Sequence, residues 1–176
     1  GMPTASNTWA GYELKYPDNI DEYHWNPLKE LIELTAYSDN NTFSNSIGEL
    51  LDIDNAINYF IFINLIQGID NTGKNYFLLK YNQNYPLAFA PWDLDITFGN
   101  KNFMHPEWYE DVDIETIVGM GNSIFNRLYD LNVNDYRNKV RLAWDEINQE
   151  NLLLQISDEF NQNINQLIES NASKRD

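Results

Sequence analysis

The stretch that decides the fold is Gly68-Ile69-Asp70-Asn71-Thr72-Gly73-Lys74-Asn75. It is a polar loop between a long apolar segment, residues 53–67, and an alternating segment, residues 76–90. Apolar side chains surround almost the whole circumference of the first segment, which predicts a core helix that ends at Gly68. The sequence therefore predicts a buried helix followed by a loop that is anchored at its base.

The alternating segment predicts a β-hairpin. Residues 76–81 and 85–90 read as two strands, and Asn82-Gln83-Asn84 reads as the turn between them. Pro91-Trp92-Asp93-Leu94-Asp95 follows the second strand. A hairpin returns the chain to its starting point, so we expect Asp93 and Asp95 to lie near Asp70 and Asn75. Residues two apart on a strand face the same side, so these two acids can point one way together.

The polar residues at the two ends of this hairpin suggest phosphoryl transfer. The spacing Asp-x-x-x-x-Asn, from Asp70 to Asn75, is that of a kinase catalytic loop, with Gly68-Ile69 in place of the usual His-Arg. Three carboxylates about 6 Å apart would repel by about 3 kcal/mol per pair at an effective dielectric constant of 20. A bound cation or a shared proton would relieve that repulsion. Oxygen ligands alone select a hard ion, which predicts Mg²⁺ or Mn²⁺.

A purely structural interpretation stays open for the same residues. Asp70-Asn71 and Thr72-Gly73 are also typical of a turn whose aspartate caps local amides. Asp93 and Asp95 would then be solvated acids at a strand end, with Pro91 and Trp92 as packing residues. His24 and His105 are assigned no role, and the acids at 107, 110, 111 and 113 are interpreted as a solvated loop.

The rest of the chain is expected to be mainly helical. Residues 11–17 read as an edge strand, Asn26-Pro27 begins a helix, and residues 38–42 read as a polar loop. After a turn at Gly99-Asn100 and an irregular segment to about residue 121, helices are predicted from near Ser123, Asn134 and Asn151. We expect one domain over residues 1–176, with residues 1–2 a cloning remnant and residues 170–176 a frayed tail.

Composition excludes several classes of function. With 11 basic and 27 acidic residues the chain has a net charge of −16, which disfavours nucleic acid and anionic membranes as partners. No apolar run is long enough to predict a transmembrane helix. The absence of cysteine excludes disulfides, thiolate nucleophiles and cysteine zinc sites, and fits a location outside the cytoplasm.

With these residues in view, the chain resembles the CotH family of spore-coat-associated protein kinases. The resemblance covers roughly residues 45–160. Its most specific part is the Pro-Trp-Asp-x-Asp element at residues 91–95 with the trailing Phe98-Gly99, and the segments 51–60, 68–78, 125–128 and 135–137 also contribute, together with Trp144.

The resemblance implies an α+β fold: a predominantly helical, kinase-like C-terminal lobe with a hairpin that carries the acidic motif. It implies that Asp70 is the catalytic-loop aspartate and that Asn75 and Asp93 bind the metal, with Asp95 as a further metal partner. Lys74 is assigned to nucleotide binding. The implied cofactors are ATP and Mg²⁺ (or Mn²⁺), and the implied partner is a protein that offers a serine or threonine hydroxyl. The family places the protein at a cell or spore surface.

Other hypotheses remain beside this one. Family members have an upstream half that supplies the nucleotide roof, so we expect this chain to represent the C-terminal lobe. A chain of that kind could be a non-catalytic protein-binding module, and a metal-dependent hydrolase could use the same acids. We also expect either a homodimer or an exposed apolar patch near the motifs.

Overall fold

The computed structural model describes residues 6–9, 11–97, 123–149 and 152–169. The chain divides into two compact units, Gly1–Tyr136 and Arg137–Asp176. Helices dominate, and the described strands form two small antiparallel sheets of two strands each. The predicted α+β, helix-rich class is therefore confirmed.

Two helices precede the core helix in the first unit. Helix α1 spans Asn26–Tyr37 with Pro27 in its first turn, as predicted. Helix α2 spans Asn40–Leu50, so the prediction of a polar loop at residues 38–42 was wrong. Asp39 caps α2 by accepting hydrogen bonds from the amides of Asn41 and Thr42, and these polar residues form the first turn of the helix.

Helix α3, Ile53–Leu65, is buried along most of its length, as its apolar circumference predicts. Asp52 caps the N-terminus of this helix by accepting a hydrogen bond from the amide of Asn55. The helix ends at Leu65, two residues before the predicted last residue, Gln67. The Gly68 amide donates to the Ile63 carbonyl, and Gln67, rather than a glycine, takes the left-handed conformation with φ 54°.

The hairpin follows the loop. Strand β3 is Tyr76–Leu79 and strand β4 is Ala88–Pro91, with Tyr76 opposite Pro91 and Leu79 opposite Ala88. Both strands are shorter than predicted, and the connection between them is longer than the predicted three-residue turn. Strands β1, Thr8–Trp9, and β2, Tyr12–Glu13, form the other sheet in place of the single strand predicted at residues 11–17.

The start of α3 holds the hairpin. Leu87 pairs with Leu51 in a parallel bridge, and the Leu87 carbonyl accepts from the Asp52 amide at 2.9 Å. The Asn55 side chain accepts from the Phe89 amide at 2.7 Å and donates to the Phe89 carbonyl at 3.2 Å. The hairpin is thus bound to α3 by hydrogen bonds as well as by packing.

An aromatic cluster fills the space between the hairpin, α3 and helix α4, which spans Ser123–Asp130. The Phe89 ring stacks on Tyr59 at 4.9 Å and on Phe125 at 5.3 Å between ring centroids. Phe60 and Tyr76 extend the cluster. This aromatic cluster supports the loop at residues 68–75.

In the rest of the chain, helix α5 spans Tyr136–Gln149 and α6 spans Leu152–Glu169. Both begin within two residues of the predicted starts. No helix among the described residues is long and apolar enough to cross a membrane. The predicted turn at Gly99-Asn100, the irregular segment to residue 121, the acids at 107–113, His105 and the C-terminal tail lie outside the described residues. His24 accepts a hydrogen bond from the Asp21 amide, which is a local structural contact.

Candidate active site at the base of the hairpin

The hairpin register brings the two motifs together. Because Tyr76 lies opposite Pro91, continuing the register outward places Asn75 opposite Trp92 and Lys74 opposite Asp93. The Trp92 amide donates to the Asn75 carbonyl at 2.9 Å, which shows that the pairing does continue. We call residues 70–75 and 92–95 the hairpin base.

Asp70 lies in a short 3₁₀-helix, Ile69–Thr72, which begins four residues after the end of α3 at Leu65. Its carboxylate is 14% exposed and lies 2.8 Å from the Lys74 ammonium, whose side chain is 66% exposed. The hydrogen bond and charge of Asp70 raise the pKa of Lys74, and the charges of Asp93 and Asp95 raise it further. Asp70, Asp93 and Asp95 therefore all raise the pKa of the same ammonium group, that of Lys74.

Asp93 and Asp95 are exposed and interact directly with each other. The nearby charge of Asp95 raises the pKa of the Asp93 carboxyl, and desolvation, a hydrogen bond to Asp95 and the charge of Asp70 add to this effect. Lys74 opposes the shift. A pair of carboxyl groups this close is suited to hold a proton or a cation between them.

The backbone at the hairpin base is strained. Asn75 has φ 57° and Asp93 has φ 55°, so both adopt the left-handed conformation. Asn and Asp tolerate this conformation better than other non-glycine residues, but it still costs free energy. Such residues persist where the surrounding structure holds them, and they concentrate at functional sites.

A comparison with known protein families decides the assignment. The family model described as CotH kinase protein matches residues 3–176. The chain belongs to this CotH kinase family. No curated protein and no solved structure matches it. The resemblance inferred from the two motifs is confirmed, and membership supports a kinase-like function.

The side chains at the hairpin base are carboxylates and an amide, which are the types of donor that hard cations accept. The described residues contain no group of three or more His, Asp or Glu side chains placed to hold a metal ion. Asp70 is electrostatically coupled to the Asp93–Asp95 pair, but the three do not form a ligand cluster. Mg²⁺ at nucleotide sites commonly takes only one or two carboxylates and completes its octahedron with water and phosphate oxygens. Asp93 and Asp95, which lie close to each other, are two carboxylates of that kind.

A cavity of about 180 Å³ adjoins the loop on the side of Thr72 and Gly73. Helix α1, the start of α4 and the side chains of Tyr12, Tyr76 and Leu78 contribute the rest of its lining. Asp70, Asn75 and Asp93 do not line it. None of the five predicted site residues lines this cavity.

Two residues that support the site were not predicted. The Asn71 side chain is 1% exposed, although the sequence interpretation treated it only as part of a turn. Tyr59 lies in α3, and its hydroxyl donates to the Asn71 carbonyl at 2.6 Å. A tyrosine in a largely buried helix is a usable signal, because its buried hydroxyl requires a partner. No comparable local signal marks Asn71.

Proposed function

We propose that the protein transfers the γ-phosphoryl group of ATP, with Mg²⁺, to a serine or threonine hydroxyl of a protein substrate. The observation that carries this proposal is the meeting of Asp70 with Asp93 and Asp95 around Lys74 at the hairpin base of a CotH-family chain. Charge stabilisation and positioning account for most of the catalysis in phosphoryl transfer, so a compact set of acids with one lysine is sufficient machinery.

The geometry suggests a role for each side chain. Asp70, held by the 3₁₀-helix, accepts a hydrogen bond from the acceptor hydroxyl and takes its proton as the new phosphate ester forms. The bond between the γ-phosphorus and the bridging oxygen breaks, and ADP leaves with that oxygen. Lys74, mostly exposed beside Asp70, donates to phosphate oxygens.

Asn75, Asp93 and Asp95 would hold the metal. When bound, Mg²⁺ neutralises phosphate charge and orients the nucleotide. Asp93 and Asp95 approach each other closely enough to hydrogen-bond, and this proximity is costly unless a positive charge or a proton is shared. The same pairing supports Mg²⁺ or Mn²⁺ rather than a softer ion.

The acceptor and its location follow from the family and the charge. CotH proteins are associated with spore coats, which suggests surface or coat proteins as substrates and a place outside the cytoplasm. The net charge of −16 makes nucleic acid a poor partner. Trp92 and Leu94 are exposed beside the acids and offer apolar contact to a protein substrate or to a second copy of the chain.

Phosphate incorporation tests the proposal. Wild-type protein, labelled ATP, Mg²⁺ and a serine- and threonine-rich acceptor protein are expected to give labelled acceptor. Asp93→Ala is expected to abolish the labelling. Glu33→Ala is a matched control, because Glu33, like Asp93, is an exposed acid near a lysine but lies on α1. If Asp93→Ala labels the acceptor as fast as the wild type, the metal role of Asp93 is wrong.

One observation favours a second candidate, a non-catalytic protein-binding module. The Asp70 carboxylate is largely buried and already paired with Lys74, so it is not open to a hydroxyl until that ion pair rearranges. Calorimetry with ATP and Mg²⁺ separates the two candidates. Micromolar binding that requires the metal supports the kinase, and no binding supports the module.

A further inference from the structure

One buried amide joins the two halves of the hairpin base. The Asn71 Nδ2 group donates to the Asn75 carbonyl at 2.7 Å and to the Trp92 carbonyl at 2.8 Å. The Asn75 carbonyl also accepts from the Trp92 amide. A single side chain therefore bonds to the residue that ends the Asp70–Asn75 loop and to the residue that precedes Asp93.

Residues of the hydrophobic core hold Asn71 in position. Its backbone carbonyl accepts a hydrogen bond from the Tyr59 hydroxyl at 2.6 Å, and the Tyr59 ring stacks against both Phe89 and Phe125. Burial raises the pKa of the Tyr59 hydroxyl, which keeps it protonated and able to donate. Asn71 thus stands in a continuous chain of contacts from the aromatic cluster to both acidic segments.

Gly68 makes room for this amide. A Cβ atom at residue 68 would lie 2.9 Å from Asn71 Oδ1, closer than side-chain carbons approach such atoms. Gly68 has φ −80°, a value that any residue adopts, so its backbone conformation does not require glycine. Glycine is required at residue 68 because the Asn71 side chain approaches its backbone so closely. This explains why a glycine stands where kinase catalytic loops carry a larger residue.

We infer that Asn71 is a positioning residue for phosphoryl transfer, which sets the spacing between Asp70–Asn75 and Asp93, and that Gly68 is required to admit it. This inference rests on the proposed function. Asn71 does not touch the reacting groups, so it acts through the residues whose backbone it holds. A displacement of about 1 Å at such groups can cost a factor of about 100 in rate.

Asn55 offers a matched control. It too uses a side-chain amide to bond the backbone of the hairpin, but at Phe89 rather than at residues of the hairpin base. Asn55→Ala and Asn71→Ala are each expected to lower the melting temperature. Only Asn71→Ala is expected to lower kcat, by about 10- to 100-fold, with a smaller change in KM for ATP. Equal kcat values for the two variants would overturn the positioning role.

Amide hydrogen exchange at Trp92 gives a readout that does not depend on activity. Asn71→Ala is expected to accelerate exchange of the Trp92 amide at least about tenfold beyond Asn55→Ala, because the pairing with Asn75 loses its support. If wild-type protein transfers no phosphate, the proposed function and the catalytic part of this inference fail together. The exchange data then decide separately whether Asn71 spaces the two segments.

A double-mutant cycle tests the link to Gly68. Gly68→Ala is expected to lower kcat and accelerate Trp92 exchange by pressing on the Asn71 amide, and to have no further effect in an Asn71→Ala background. Equal effects of Gly68→Ala in both backgrounds would refute the link. Asn71→Ser, which is too short to reach both carbonyls, replaces Asn71→Ala if the alanine variant does not fold.

Discussion

Two regions of the first unit handle charge in opposite ways. The Arg127 guanidinium donates to the backbone carbonyls of Leu34, Thr35, Ser38 and Asp39 and lies 4.1 Å above the Phe43 ring. At the hairpin base, by contrast, the carboxylates of Asp70, Asp93 and Asp95 lie near a single lysine. Two residues there also have a left-handed backbone conformation.

The contrast separates an arrangement that stabilises the fold from one that costs stability. Arg127 ties the corner between α1 and α2 to α4, and each of its contacts lowers the free energy of the folded state. The hairpin base keeps like charges close and residues strained, which raises that free energy. Folded proteins tolerate such arrangements mainly where they bind or react.

The largest effect is expected at Asp70. Asp70→Asn is expected to lower kcat about 10³-fold, because the amide cannot take the hydroxyl proton. Its melting temperature is expected to change little, since the lost ion pair involves a mostly exposed lysine. Kinetics and thermal unfolding on the same preparation check both parts. A large loss of stability with kcat retained would show that the hairpin base is structural, like the Arg127 corner.

Arg127→Ala is expected to show the reverse pattern within the stabilising region. It leaves carbonyls at the α1–α2 corner without their donor and should lower the free energy of unfolding by about 3 kcal/mol. Arg127→Lys keeps the charge but not the planar fork, so it should recover only part of the loss. Urea denaturation measures both variants. Arg141→Ala, which removes an exposed pair with Asp145, serves as the control and should cost less than about 1 kcal/mol.

A smaller gain is expected from relieving strain beside the hairpin base. Gln67→Gly should raise the free energy of unfolding by about 1 kcal/mol, because glycine adopts the left-handed conformation without steric cost. Gln67→Ala removes the same side chain but keeps the steric cost, so it should bring no such gain. Denaturant titration of the two variants decides the matter. Equal stability of the glycine and alanine variants would show that position 67 stores no strain.

The smallest effect is expected from charge at Asp93, and it depends on pH. The folded-state pKa of Asp93 is raised, so the folded protein binds this proton more tightly than the unfolded chain, and stability falls as pH rises through that range. Asp93→Asn should therefore raise the melting temperature at pH 7, and this advantage should shrink as the pH falls through the raised pKa and be gone below pH 3.8. Melting curves at several pH values test this. A difference that is the same at every pH would trace the change to the backbone rather than to charge.

Local patterns predicted much of the first unit. The apolar circumference of α3, the Asn26-Pro27 helix start and the alternation before Pro91 are properties of short segments, and each was found in the structure. Helix α2 was missed because its first turn is polar and Phe43 and Ile47 are its only fully buried hydrophobic residues. The end of α3 was misplaced because Gln67, rather than the adjacent Gly68, takes the left-handed position.

The sequence by itself determined the family, the helix-rich class and the types of side chain that the site contains, because these depend on composition, periodicity and spacing. Only the tertiary structure decided which of those side chains meet. The register of β4 against β3, with Tyr76 opposite Pro91, brings Asp93 near Lys74, and a slip of one residue would put another residue there. The burial of Asn71 depends on Tyr59 and Trp92, which are 12 and 21 residues away. Hydrogen bonds over such separations form only after the chain has folded, so no local pattern records them.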